Sequence, residues 1–132
     1  MSYDVIKDTR DLLVNSSEVT ALVQPANIRV GWSEVQVSMP AVIISEVTET
    51  DVGYLGFGAS SEGSRLHRIE ATIQLDVLSQ NSVKETLQIA DAITKVLLLN
   101  SYAKITEVDM WDELLKAHRR MLRFRKIYVK EV

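Results

Sequence analysis

The 132-residue sequence contains no cysteine, which removes disulfides, thiolate metal ligands and thiol nucleophiles together and argues against a small secreted scaffold. Histidine is nearly as scarce. Only His67 and His118 are present, far apart, whereas a zinc site needs three or four clustered ligands. No run approaches the roughly 18 consecutive apolar residues that a membrane-crossing helix requires. Charges also fall within Met1 to Val14, where a signal peptide would carry its apolar segment. These absences predict a cytosolic chain with no membrane partner, whose stability comes from packing and from neighbours.

Hydrophobic residues make up 46% and charged residues 25%, the balance of a chain that builds a core rather than one that stays disordered. The length suits one domain spanning residues 1–132. The net charge of −3 hides a division: residues 1–115 carry 8 Lys/Arg against 17 Asp/Glu, and residues 116–132 carry 7 against 1. A basic strip on an acidic body suits a nucleic-acid partner, and equally suits copies of one protein that pack acidic surface against basic surface.

Local pattern predicts an α+β fold. Val5, Ile6, Leu12 and Leu13 form a helical stripe over residues 4–14, and Glu18 to Val23 reads as a further short turn stopped by Pro25. Ile28, Val30 and Trp32, then Val35, Val37 and Met39, alternate as strand residues do. Pro40 opens the run Ala41 to Thr50, whose Val42, Ile43 and Ile44 suit a strand buried on both faces. Asp51 to Ser64 holds four of the five glycines and reads as an exposed, mobile connection. From Arg65 to Leu78, Ile69, Ala71, Ile73, Leu75 and Val77 alternate with polar residues, predicting a strand with one buried and one wet face. At ~3.3 Å per residue it spans roughly 45 Å, long enough for part of it to project. Ser82 and Glu85 form a capping box ahead of a helix whose apolar face is Val83, Leu87, Ala90, Ile93 and Leu97, ending at Asn100. Strands from Tyr102 to about Trp111 and from His118 to Val129 follow, their blurred alternation indicating a bulge. The expected product is a mixed, mostly antiparallel sheet of about four to five strands in the order α-β-β-β-α-β-β, with the N-terminal helix and one long helix packed on one face.

Little in this pattern points to catalysis. Gly53-Tyr54-Leu55-Gly56-Phe57-Gly58 is glycine-rich, but it joins two strands, whereas phosphate loops join a strand to a helix. Tyr54, Leu55 and Phe57 are apolar for a solvated tip and fit either a plain hairpin or a docking loop. Asp109, Asp112 and Glu113 sit near a turn, where solvation explains them better than acid–base or cation chemistry. The unusual feature is Arg119, Arg120, Arg123, Arg125 and Lys126, interleaved with Leu122, Phe124 and Tyr128. In a strand, Arg119, Arg123 and Arg125 point one way and the apolar residues the other. Such a basic face suits a solvated, guarded edge, acidic surface on a neighbouring subunit, or passing DNA.

The N-terminal helix, the sheet interrupted by a glycine-rich excursion, the strand Arg65-Leu66-His67-Arg68-Ile69-Glu70-Ala71-Thr72-Ile73-Gln74-Leu75-Asp76-Val77 and the helix Ser82 to Leu99 together resemble the tail terminator and tail completion family of tailed bacterial viruses. The resemblance covers nearly the whole chain and rests on order and pattern. It implies a structural virion protein, assembled in the host cytoplasm, that forms a ring, generally a hexamer. Such a ring ends tail-tube growth and meets the head connector, so the implied partners are further copies, the tail tube protein and the connector. It implies no cofactor and no enzymatic activity. It would put strand edges and the connection Asp51 to Ser64 at subunit or partner contacts. Another connector or tail-tube subunit, or a nucleic-acid-binding module using the basic final strand, are the competing readings.

Overall fold

The structure, a computed structural model, describes residues 4–32, 38–54 and 66–131. Helix α1 (Val5–Val14) begins at Asp4, whose carboxylate accepts from the backbone N–H groups of Ile6 and Lys7, satisfying donors that the first helical turn leaves unpaired. Helix α2 (Ser17–Thr20) is capped in the same way by Ser16. A 3-10 turn at Pro25–Asn27 then leads into strand β1 (Ile28–Val30). Gly31, with φ +75°, ends β1 in a conformation that costs glycine little. The alternation through Trp32 therefore does not extend the strand, Val35 and Val37 lie outside the described residues, and Met39 sits in a bend.

Strands β2 (Ala41–Tyr54) and β3 (Leu66–Ser79) are both 14 residues long. Helix α3 (Val83–Leu99) follows, then β4 (Tyr102–Asp112) and β5 (Ala117–Glu131). The sheet order is β1-β2-β3-β5-β4, with β1 parallel to β2 and every other pair antiparallel. The α+β fold with a mixed sheet, an N-terminal helix and one longer helix is thus as expected. The predicted bulge falls between Lys104 and Thr106.

The helices cover one face. Ala71, Ile73, Leu75 and Val77 of β3, with Leu122 and Phe124 of β5, meet Ile89, Ala90, Ile93 and Leu97 of α3 and Val5 and Leu13 of α1. Thr9 is buried among them; it donates to the Val5 carbonyl and shares a 2.8 Å hydrogen bond with the Tyr102 hydroxyl. The other face carries a smaller buried cluster, Ala41, Ile43 and Leu78, at one end only.

Four expectations need correction. The β2–β3 connection begins later than Asp51, because the bonding between β2 and β3 continues to Tyr54 opposite His67. The outward side of β3, which pairs with β5 from Leu66 to Ser79, is not uniformly wet, since Asp76 and Leu78 are fully buried. Val83 and Leu87 are two-fifths exposed, while Thr86 and Ile89 are buried, so the buried face of α3 is rotated from the predicted one. Only half of the capping box forms: Ser82 Oγ accepts from Glu85 N at 3.1 Å, but the Glu85 carboxylate turns to Ser79 Oγ (2.6 Å) and Asn81. The buried Ser79 hydroxyl and the Asn81 side chain compete for that carboxylate.

Candidate functional site

Strand alternation places the basic residues of β5 on two faces. Arg119, Arg123 and Arg125 lie on the open face, as expected, in register with Leu78, Gln74 and Thr72 of β3. Arg120 and Lys126 point to the helix side with Leu122, Phe124 and Tyr128, so the five basic groups are not one patch.

Most of them are already bonded within the chain. Arg119 donates to Asp76 at 2.8 Å and to Asp112 at 3.2 Å, with its guanidinium 5.0 Å from the Trp32 ring centre. Asp76 also accepts from Gln74 Nε2 at 3.0 Å, and Gln74 Oε1 accepts from Arg123 at 3.1 Å. A polar ladder therefore runs Arg123–Gln74–Asp76–Arg119–Asp112 across the open face. Arg120 bonds Glu107 at 2.7 Å and reaches Thr86. Lys126 donates to the Asn100 carbonyl at 2.6 Å and lies over the Tyr102 ring. Partial burial pushes the Glu107 carboxyl up, but hydrogen bonds from Lys104 and Arg120 outweigh it and hold the group below the ordinary carboxylate range. Arg125 is the looser member: it is 46% exposed and 3.5 Å from Glu70, which is 34% exposed.

Sequence reasoning found the basic strip but missed Asp76, the buried acid at its centre. Asp76 stands opposite Met121 and is reached diagonally by Arg119, which is opposite Leu78, and that register is not visible without the fold. Tyr54 ends β2; Leu55 and Phe57 lie outside the described residues. His67 Nδ1 is 2.6 Å from Asp51 Oδ2, joining β2 to β3, and His118 packs edge-on against Trp111. Asp112 is bonded to Arg119, and Glu113 to Lys116 and Trp111 Nε1. Among the described residues no three His, Asp or Glu side chains are grouped to hold a metal, and no helix is long and apolar enough to cross a membrane. Open clefts of about 460 Å³ beside Asp8, Asp11, Ser16 and Val96 and about 330 Å³ beside Trp32, Leu115 and Arg119 lie at the surface, and in the first the Ser16 hydroxyl oxygen accepts from Val19 N–H as a helix cap.

This surface carries exposed apolar side chains and charges bonded into ladders across the sheet. Residues 8–128 match the tail completion protein gp17 family, and the chain belongs to that family. It is accordingly a structural protein of a virion tail, as the sequence pattern implied. No curated protein matches it. Among solved structures, a chain of the virion of the native gene transfer agent particle superposes with a TM-score of 0.60 at 11% identity, over 97% of this chain and 99% of that one. At that identity the likeness speaks for the fold alone.

Proposed function

We propose that residues 1–132 act as one tail-terminator-like unit. Copies assemble into a ring, a hexamer, at the head-proximal end of the tail; the ring stops tail-tube growth and presents a surface to the head connector. It works by fit, with no bond made or broken. The match across residues 8–128 to a tail completion family carries this reading. The partners are further copies, the tail tube protein and the connector, and Tyr54, Leu55, Phe57 and the basic residues of β5 are the proposed contacts.

Light scattering on the purified protein, alone and with tail tubes, tests the ring: a defined oligomer is expected, and a strict monomer under both conditions overturns it. Electron microscopy of particles lacking the protein should show overlong tails or separated heads and tails.

One observation keeps a second reading, in which the basic strand faces DNA: Arg123 and Arg125 share the open sheet face. Four acids within the chain, Asp76, Asp112, Glu107 and Glu70, already oppose the basic residues of β5, which leaves little charge for phosphates.

A further inference from the structure

If copies do form a ring, two different patches of one chain must fit each other, because only a heterologous contact closes a ring by rotation. The structure carries two such patches, complementary in charge and both apolar.

The first lies along the β4 margin. Helix α3 presents Ala92, Val96 and Lys95 toward α1 and α2, where Lys95 pairs with Glu18 and the two apolar residues join the core. The opposite flank carries Val83, Leu87 and Leu98, the last 51% exposed. Trp111 of β4, 52% exposed, stands on the same side of the sheet as the helix. Asp91 on α3 and Asp109 on β4 are exposed beside it, and neither has a hydrogen bond or ion pair among the described residues. Arg120, which stands opposite Asp109 in the sheet, is bonded to Glu107 and Thr86.

The second patch lies on the open sheet face. Strand β5 runs past the start of β4, so its residues beyond Lys126 have β3 on one side and no strand on the other among the described residues. There Ile127 and Val129 are 41% and 52% exposed. Arg68, opposite Val129, is exposed and has no ion pair among the described residues. Arg125 is held only by its loose contact with Glu70. A single copy cannot bring the two patches together, since they lie on opposite faces of its sheet.

We infer that the α3–β4 margin of one copy docks on the β3–β5 open face of the next, with Asp91 and Asp109 meeting Arg68 and Arg125 around an apolar centre. This rests on the ring reading and names the surfaces that make it.

The lack of native cysteine gives a test free of background. A chain carrying both Asp109→Cys and Arg125→Cys, treated with a short bismaleimide, should give a ladder of covalent oligomers ending at the ring size, and neither single variant should give more than traces. Reversing both acids, D91K with D109K, is expected to weaken association roughly tenfold, as loss of complementary rim charges does. Adding R68E and R125E to that chain should recover most of the loss. A protein that assembles normally but gives no ladder overturns this contact and leaves the ring standing. Cross-linking by a single variant overturns it too, because like surfaces then meet. A protein that never assembles, even with tail tubes, overturns both.

Discussion

Asp76 is the residue on which the open face depends. Its carboxylate is fully buried and its charge is answered by Arg119 and Gln74. Removing one partner of such a pair strands a charge in a poor solvent, at a cost of about 3–5 kcal/mol. Arg119→Ala should therefore lower stability by about 3 kcal/mol in urea titration, more than an exposed arginine is worth. A D76L/R119M chain should regain a large part of that loss, and a change under about 0.5 kcal/mol for Arg119→Ala alone contradicts the account. Glu107 supplies a pH test. Its carboxyl lies below the ordinary value of 4.5, so the folded state binds its proton less readily than the unfolded one. The stability it contributes is complete above the unfolded value and is lost as pH falls through the lower folded value. Comparing the acid limb of unfolding for the parent and Glu107→Gln should show a shallower fall for the variant below about pH 4.5.

At the level of elements, α3 and β5 hold the fold. Phe124 is fully buried where β5 meets the helices, and Phe124→Ala should cost about 3–5 kcal/mol. The Ser82 cap of α3 stands apart from that core. Ser82→Ala should cost about 1 kcal/mol, read by thermal unfolding, with the oligomer unchanged. The helices, the long strands and even the bulge in β4 were legible in the sequence because hydrophobic spacing reports local geometry directly. The boundaries of β1 and β2 were not. A glycine at positive φ ended β1 early, and pairing with β3 carried β2 past Asp51, into residues whose composition reads as a turn.

For the assembled particle, the connection between β2 and β3 is the natural place to separate fold from docking. Shortening residues 55–65, which leaves the paired part of β2 intact, should preserve the unfolding midpoint while impairing attachment to tail tubes or connectors; undiminished attachment removes the docking role of Leu55 and Phe57. The DNA reading meets its own test at Arg123 and Arg125. Reversing both should leave DNA affinity near background in parent and variant alike, and a steep, salt-dependent loss in the variant alone would favour that reading.

Composition and spacing were enough for the class of fold, the core face of β3 and the basic final strand, since each of these follows from neighbours along the chain. They did not reveal that Arg119, Arg120 and Arg123 are bonded within the chain, nor that Arg125 has only a 3.5 Å contact with Glu70 and Arg68 no ion pair among the described residues. Those facts depend on which residue of β3 or β4 stands opposite each arginine of β5, and the partners lie as far as 49 positions away in sequence. A one-residue slip in strand pairing would send every one of them to the other face, so the distribution of charge on this molecule is a property of register, which only folding sets.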